Sequence, residues 1–87
     1  MDKNIIITGT SSGIGYELVK IFSANGHNVI ALSRNILPTN DLRLSNVYSI
    51  SFDINNNSDH KVLIEYISKN WEHVDILINN EIGRAHV

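Results

Sequence analysis

The apolar residues of this chain are grouped in short continuous runs, separated by longer stretches with helical spacing. Short runs of apolar, largely β-branched residues are typical of strands that are buried on both faces of a parallel sheet. Four such runs predict four strands, which we place at Ile5–Ile7, Asn28–Ser33, Val47–Phe52 and Val74–Ile78.

The stretch between the first two strands has the spacing of an amphipathic helix, which we place at Tyr16–Asn25. The helix ends at Asn25 and Gly26, since glycine is the usual residue at a left-handed helix cap. Its apolar stripe is expected to pack on the sheet as part of the core. The stripe comprises Ile14, Leu18, Ile21 and Phe22.

A longer helix is expected between the third and fourth strands. The run Asn55–Asp59 offers several N-cap residues, and a helix of about a dozen residues follows it. The polar stretch between the second and third strands contains the single proline, Pro38, and we place a short helix there at Asp41–Leu44. The apolar stripe of the longer helix comprises Val62, Leu63, Tyr66, Ile67 and Trp71.

The order of these elements predicts an α/β fold with a doubly wound, Rossmann-like parallel sheet. Strands alternate with helical patterns and no hairpin signal joins them, which favours parallel pairing through right-handed crossovers. In such a sheet the strands lie in the order 3-2-1-4, and ligands bind at their carboxyl ends. Four strands make the sheet incomplete for this fold. Four polar residues fall at those ends and are expected to converge on one crevice: Thr8, Ser33, Asp53 and Asn79.

The sequence between the first strand and the first helix, Thr8–Gly15, reads TGTSSGIG and contains three glycines. A strand, a glycine-rich turn and a helix form the layout of a dinucleotide-binding site. One glycine lets the chain turn, one lets the backbone approach a pyrophosphate, and one lets the helix pack closely on the strand. The helix N-terminus supplies unpaired N–H groups and the positive end of its dipole to the phosphates.

Length and composition restrict the classes of function. With 87 residues, 43% of them hydrophobic and 18% charged, the chain has the composition of one small globular domain. A net charge of -2 gives no basic field for nucleic acid or for an anionic membrane surface. The lack of cysteine excludes disulfides, thiolate metal sites and a cysteine nucleophile. No targeting segment or membrane span is visible, so we expect a cytoplasmic protein.

TGTSSGIG resembles the signature of the short-chain dehydrogenase/reductase family, in which the glycines are spaced G-x-x-x-G-x-G rather than G-x-G-x-x-G. Two further pairs of neighbouring residues follow in the same order along the chain as in the family, and they extend the resemblance over Lys3–Asn80. Asp53-Ile54 resembles a pair in which the aspartate binds the adenine amino group and its neighbour covers the ring. Asn79-Asn80 resembles the start of the family's NNAG motif. The resemblance implies a cofactor site made of Gly9, Ser11, Ser12, Gly13, Ile14, Gly15, Ser33, Arg34, Asp53, Ile54, Asn79 and Asn80.

The end of the second strand is where proteins of this fold choose between the two nicotinamide cofactors. An acidic residue there binds the ribose hydroxyls of NAD and repels an added phosphate. This chain has Ser33 and Arg34 instead. The serine removes the repulsion, and the planar guanidinium of Arg34 is suited to a 2′-phosphate. An ordinary solvated Arg34 is the alternative, and the sequence favours NADP(H) over NAD(H).

The family resemblance implies hydride transfer between the nicotinamide and a small-molecule carbonyl or alcohol substrate, with proton transfer by a tyrosine. Tyr16 and Lys20 have the Y-x-x-x-K spacing of the family's catalytic pair, but they directly follow the glycine turn. The family's pair lies far downstream, after a catalytic serine. We therefore predict no catalytic residue in this chain and no activity of the chain alone. A full-length parent would be the active form, and we expect it to be a homo-oligomer.

Two other functions are compatible with the same glycine turn. The first is a stand-alone nucleotide-binding module without redox activity, whose reading frame would lack a downstream serine and Y-x-x-x-K motif. The second is a relative of the sugar-nucleotide epimerases, which is disfavoured because that branch usually spaces its glycines as G-x-x-G-x-x-G.

The last residues depart from the family pattern. An NNAG motif requires alanine and glycine where this chain has Glu81 and Ile82. The sequence Ile82–Val87 matches a translation of a widely used sequencing adapter. We therefore predict that residues 1–81 form the N-terminal part of an NAD(P)-binding domain and that residues 82–87 are a non-native tail. A divergent loop is the alternative explanation.

Overall fold

The structure, a computed structural model, describes residues 2–80, and the predicted tail at Ile82–Val87 lies outside the described residues. Strands and helices alternate in the predicted order. Within residues 2–80, no helix combines the length and the apolar character needed to cross a membrane. The elements are β1 (Asn4–Thr8), α1 (Gly13–Ala24), β2 (Asn28–Ser33), α2 (Leu37–Asn40), β3 (Val47–Ser51), α3 (Asn57–Asn70) and β4 (Ile76–Ile78).

The strands form one parallel sheet in the order β3-β2-β1-β4, which confirms the predicted topology. In β1, Ile6 pairs with Ile30 of β2 on one side and with Leu77 of β4 on the other. Ile5 and Ile7 pack with the apolar side chains of α1, and Ile6 packs on the opposite face with those of α3. Because helices cover both faces of the sheet, its central strands are apolar at successive positions.

The helix α1 begins at Gly13, three residues before the predicted start, and its buried face differs from the predicted one. The prediction that Ile14 and Ile21 lie in the core is wrong, since these side chains are 70% and 52% exposed. The close approach of Gly15 to the backbone of Gly9 sets the rotation of the helix. At about 100° per residue, Ile14 and Ile21 then lie outside the buried stripe. The residues that face the sheet are Gly15, Leu18, Val19, Phe22 and Ser23.

The short helix α2 lies at Leu37–Asn40, so the prediction of a helix at Asp41–Leu44 is wrong. Pro38 lies in the first turn of α2, where proline is tolerated because an N–H at that position has no partner within the helix. Arg43 has a φ of 53°, a left-handed conformation that does not continue a right-handed helix. The proline is therefore part of the first turn of the helix, and the residues after Asn40 form a turn.

The helix α3 follows one of the predicted N-cap residues. The side chain of Asn56 accepts hydrogen bonds from the backbone N–H groups of Ser58 and Asp59, at 2.9 and 3.4 Å. The prediction that Val62 belongs to the packed stripe is wrong, because its side chain is 49% exposed. The rest of the predicted stripe packs on the sheet, namely Leu63, Tyr66, Ile67 and Trp71.

The outer strand β4 is shorter than predicted and begins at Ile76 rather than at Val74. Two hydrogen bonds of Asp75 connect the start of β4 to β1. The backbone N–H of Asn4 donates to Oδ2 of Asp75 at 2.8 Å, and the backbone N–H of Asp75 donates to the carbonyl of Asn4 at 2.8 Å. Nε2 of His73 lies 3.1 Å from Oδ1 of the same carboxylate. These contacts stabilise the register in which β4 pairs with β1.

The carboxylate of Asp75 makes the stability of the fold depend on pH. The backbone N–H of Asn4, and then the charges of His73 and Lys3, lower the pKa of Asp75 from its ordinary value. A carboxyl group with a lowered pKa stabilises the folded state fully above about pH 4. That stabilisation is lost as the pH falls through the folded-state pKa.

We expect Asp75→Asn to lower the melting temperature at neutral pH. The variant should also lose less stability than the wild type when the pH is lowered. Circular dichroism melts from acid to neutral pH measure both effects. Asp41→Asn, at an exposed position after α2, is the matched control for the loss of one carboxylate. Equal melting temperatures of the two variants at every pH would contradict the assigned role of Asp75.

Candidate functional site

The carboxyl ends of the strands surround an open cavity of about 380 Å³. The glycine turn after β1 forms one side of it, and the segments after β2 and β3 form the other. The predicted convergence of polar strand ends holds for Thr8, Ser33 and Asn79, whereas Asp53 lies outside the lining. The lining residues are Thr8, Gly9, Ser11, Ser33, Arg34, Asn35, Phe52, Ile54 and Asn79.

The glycines of the turn have different structural roles. A Cβ atom at Gly15 would overlap the carbonyl oxygen of Gly9 and would lie 2.6 Å from Nδ2 of Asn80, so this position requires glycine for close packing. Gly13 has a φ of +62°, and a Cβ atom there would meet no protein atom within 4 Å. The space at Gly13 is therefore open to a ligand, and its left-handed backbone favours glycine.

Hydrogen bonds hold the glycine turn from two sides. The backbone N–H and the hydroxyl of the buried Thr10 both donate to the carbonyl of Leu32 in β2, at 3.3 and 3.1 Å. On the other side, the backbone N–H of Asn80 donates to Oγ1 of Thr8 at 2.8 Å, and Nδ2 of Asn80 donates to the carbonyl of Gly9 at 3.2 Å. The turn is thus positioned by β2 and by the end of β4.

The start of α1 lies beside the cavity and has no acidic residue in its first turn. Ser12 is the N-cap residue, with extended backbone, and its hydroxyl makes no capping hydrogen bond. Ser11 lines the cavity, whereas Ile14 projects its exposed side chain from the first turn of the helix and is not part of the lining. An arrangement of small side chains at a helix N-terminus is suited to an anion such as a phosphate.

We call Ser33, the last residue of β2, together with Arg34 and Asn35, which follow it, the β2 rim. Ser33 is buried, and its hydroxyl donates to the carbonyl of Asn35 at 2.6 Å. The side chain of Arg34 is 79% exposed, and its Nη2 lies 3.9 Å from Oδ1 of Asp53. An exposed ion pair of this length contributes at most about 1 kcal/mol, so Arg34 is readily available to another anion.

The segment after β3 supplies the residues that resemble the family's adenine-binding pair. The backbone N–H of Asp53 donates to Oδ2 of Asp59 at 2.9 Å, and Oδ1 of Asp53 accepts from the backbone N–H of Asn55 at 3.0 Å. Ile54 is exposed and lines the cavity, and its carbonyl oxygen lies 2.7 Å from Nε2 of His60. Contacts to the first turns of α3 therefore fix the backbone of both residues.

Tyr16 and Lys20, which share the spacing of the family's catalytic pair, lie on α1 and do not line the cavity. Nζ of Lys20 lies 5.4 Å from the centroid of the Tyr16 ring and 3.6 Å from Oε1 of Glu17. Contacts of this kind between residues three and four positions apart are ordinary features of a helix surface.

Sequence reasoning missed three residues that shape the site. Thr10 anchors the glycine turn, Asn35 completes the β2 rim, and Phe52 contributes apolar lining. The spacing predicts a third strand that includes Phe52, whereas β3 ends one residue earlier at Ser51. Thr10 could have been found in the sequence as a hydroxyl residue among glycines and serines. Asn35 could have been found as a polar residue directly after the arginine that is predicted to bind phosphate.

Sequence comparisons identify relatives of this chain. The profile of the short chain dehydrogenase family matches residues 3–83. The chain is 33% identical over 91 residues to chlorophyll(ide) b reductase NOL of Oryza sativa, a match that covers 95% of this chain and 26% of the reductase. It is 33% identical over 79 residues to a probable NADP-dependent dehydrogenase of Dichelobacter nodosus, which covers 87% of this chain and 74% of that protein. The chain thus spans about a quarter of the length of the rice reductase.

Solved structures agree with the sequence relatives. A short chain dehydrogenase from Bacillus anthracis has a TM-score of 0.80 and 31% identity, over 93% of this chain and 35% of that one. A short chain dehydrogenase from Leptospira borgpetersenii with bound NAD⁺ has a TM-score of 0.78 and 33% identity, over 91% of this chain and 31% of that one. With its parallel sheet and its glycine turn at the cavity, this chain belongs to the short-chain dehydrogenase/reductase family.

Proposed function

We propose that this chain is the NADP(H)-binding portion of a longer short-chain dehydrogenase/reductase, which transfers hydride between the nicotinamide and a carbonyl or alcohol substrate. The observation that carries the cofactor choice is the pair Ser33 and Arg34 on the β2 rim, where an exposed guanidinium follows a strand end that lacks an acidic side chain. An acidic residue at this strand end would favour NAD instead. The relative from Dichelobacter nodosus is named as a probable NADP-dependent dehydrogenase, which is consistent with this choice.

The proposal assigns the parts of the cofactor to different parts of the cavity. The backbone at Gly9 and Gly13, with the N–H groups at the start of α1, would bind the pyrophosphate. Ser11 lines this side of the cavity, Ser12 and Ile14 adjoin Gly13 in the chain, and Gly15 keeps the helix close to the turn.

The adenosine half would lie on the other side of the cavity. Asp53 and Ile54 would bind the adenine, and Arg34 would bind the 2′-phosphate. Asn79 lines the cavity at the end of β4, and Asn80 supports the turn through its bonds to Thr8 and Gly9. When bound, the nicotinamide supplies or accepts the hydride.

Proton transfer would require residues outside the described part of the chain. Within residues 2–80, the cavity lining contains hydroxyl groups on Thr8, Ser11 and Ser33 but no tyrosine, lysine or histidine side chain. An unassisted hydroxyl is a weak acid at neutral pH, and it needs an adjacent base or cation to transfer a proton efficiently. We therefore propose that this portion binds the cofactor and that a later portion of the full-length protein supplies the acid.

Cofactor choice is tested by calorimetry on the full-length protein that carries this portion. We expect Arg34→Ala to weaken NADPH by about ten- to a hundredfold, because a hydrogen bond to a charged group is lost, and to change NADH little. Ser33→Asp should weaken NADPH and strengthen NADH, because a carboxylate repels the phosphate and accepts from ribose hydroxyls.

Lys61→Ala, at an exposed position on α3 away from the cavity, is the control for the loss of one positive charge. It should leave both affinities close to those of the wild type. An equal loss of NADPH and NADH affinity in Arg34→Ala would contradict the proposed phosphate contact. A wild-type protein that binds neither dinucleotide would overturn the proposed function as a whole.

A further inference from the structure

Two cavity-lining residues after β3, Phe52 and Ile54, are both in contact with a histidine that does not itself line the cavity. This histidine is His60, near the start of α3. We propose that His60 is a positioning residue for the adenosine end of the dinucleotide, because it fixes the backbone of Ile54 without contacting the ligand. This inference rests on the proposed function and adds to it a residue that acts from outside the cavity.

Ile54 depends on its backbone for its position. The residue is 69% exposed and belongs to neither of the two apolar clusters of the described core. It lies in the short turn between β3 and α3. Because its side chain has no packed position of its own, Ile54 can cover a ligand ring only where the turn places it over the cavity.

His60 acts on the middle of this turn. The carbonyl oxygen of Ile54 lies 2.7 Å from Nε2 of His60, and since a carbonyl oxygen only accepts, Nε2 must carry the hydrogen. The ends of the turn are held separately. The backbone N–H of Asn56 donates to the carbonyl of Asp53 at 2.9 Å, and that of Asp53 donates to Oδ2 of Asp59 at 2.9 Å. Within residues 2–80, the bond from His60 is the only hydrogen bond made by the backbone of Ile54.

The imidazole of His60 is itself held by Phe52. The centroids of the two rings lie 5.0 Å apart with an angle of 56° between their planes, and Phe52 packs against the core cluster that contains Leu32 and Ile50. The core thus determines the position of Ile54 through Phe52 and His60. Because this arrangement exists before a ligand binds, less conformational entropy is lost on binding.

The bond between His60 and Ile54 should matter more for binding than for stability. It lies at an exposed position, so water can bond to the carbonyl of Ile54 when the imidazole is removed. The free energy of unfolding should therefore change little. A turn that is no longer held must instead be ordered by the ligand, and this ordering lowers the affinity.

Three substitutions of His60 separate the donor from the ring. His60→Gln keeps a side-chain N–H donor at a similar distance from the backbone but loses the ring. His60→Phe keeps an aromatic ring beside Phe52 but has no donor. His60→Asn carries its donor on a shorter side chain, which should not reach the carbonyl, and repeats the test without an added apolar group. Ser68→Phe, at an exposed position farther along α3, is the control for an added aromatic side chain.

Calorimetry on the full-length protein measures the affinities for NADPH and 5′-AMP, and ligand-observed NMR measures the weaker binding of nicotinamide mononucleotide. We expect His60→Phe and His60→Asn to weaken NADPH and 5′-AMP by about fivefold, as for one neutral hydrogen bond. His60→Gln should stay within about twofold of the wild type, because the donor is retained. Nicotinamide mononucleotide, which has no adenosine, should bind equally to all variants. Ser68→Phe should bind all three ligands as the wild type does.

Different failures would overturn different parts of this inference. Unchanged affinities in His60→Phe and His60→Asn would overturn the role of His60 and leave the proposed function standing. An equal loss in His60→Gln would exclude the hydrogen bond as the cause, and equal losses for 5′-AMP and nicotinamide mononucleotide would show that His60 supports the structure in general. A wild-type protein that binds no dinucleotide would overturn the proposed function and this inference together. Thermal melts of each variant establish that it is folded before its affinity is interpreted.

Discussion

Gly15→Ala is expected to destabilise the protein strongly and to abolish dinucleotide binding. A Cβ atom at this position would overlap the carbonyl oxygen of Gly9 and would lie 2.8 Å from its carbonyl carbon. Because these are backbone atoms of the turn, a side-chain rotation cannot relieve the overlap, and α1 must move away from β1. We expect a loss of about 3 kcal/mol in the free energy of unfolding.

Gly13→Ala is the matched control, since it adds the same methyl group two residues earlier in the same turn. Its Cβ atom would meet no protein atom within 4 Å, and only the left-handed backbone, with a φ of +62°, disfavours alanine. We expect this strain to cost about 1–2 kcal/mol. Chemical denaturation of the full-length protein, with both variants side by side, measures the difference in stability, and NADPH titration of Gly15→Ala measures its loss of binding. Similar stabilities of the two variants would contradict the close packing of Gly15 on Gly9.

The second large effect concerns the 87-residue chain expressed alone, which we expect to self-associate and to show no NADPH-dependent carbonyl reduction. Among residues 2–80, β4 is the outer strand of the sheet beside β1, and Leu77 on β4 is 64% exposed. An apolar strand with unpaired backbone groups tends to pair with the same strand of another molecule. The cavity lining described above also supplies no tyrosine, lysine or histidine for proton transfer.

Sedimentation velocity over a range of concentrations measures the association, and NADPH consumption measures the activity. Leu77→Lys should shift the population towards monomers, because charged side chains on an edge strand oppose pairing. Ile64→Lys is the control, since Ile64 is 61% exposed but lies on α3 rather than on the sheet edge. A monomeric wild-type chain that reduces carbonyl compounds with NADPH would contradict this prediction and would direct attention to Tyr16 and Lys20.

The topology of the sheet was predictable because it depends on short sequence patterns that recur along the chain. Each central strand is a short apolar run, and the stretches between the runs exclude hairpins, so the alternation of elements leads to a parallel sheet. The four strands pair in the predicted order, and the carboxyl ends of β1, β2 and β4 bring Thr8, Ser33 and Asn79 to one cavity.

The rotation of α1 was not predictable in the same way. Ile14 and Ile21 have the spacing of a buried stripe, but the contact between Gly15 and Gly9 decides which face of the helix meets the sheet. That contact involves a residue without a side chain, so a pattern of apolar side chains does not reveal it. The position of α2 was missed for a related reason, because the backbone conformation of Arg43 depends on its surroundings rather than on its residue type.

The β2 rim shows the limit of motif reasoning at the candidate site. Residue types alone predicted that Ser33 removes an acidic acceptor and that Arg34 supplies a cation. They did not reveal that the hydroxyl of Ser33 donates to the carbonyl of Asn35, or that the side chain of Asn35 accepts from Leu37. These bonds depend on how the chain turns after β2, and the neighbouring residues that set this turn are not part of the motif.

The hydrogen bonds from Asn80 to Thr8 and Gly9 also affect the order in which the chain folds while it is being synthesised. Asn80 lies 72 residues after Thr8, so β1, α1 and β2 are synthesised before the group that supports the glycine turn. Contacts between residues so far apart in sequence form late, because the chain must first close a long loop. A nascent chain can therefore bury Ile5 and Ile7 under α1 early, but it acquires a fully supported phosphate-binding turn only after β4 has joined the sheet.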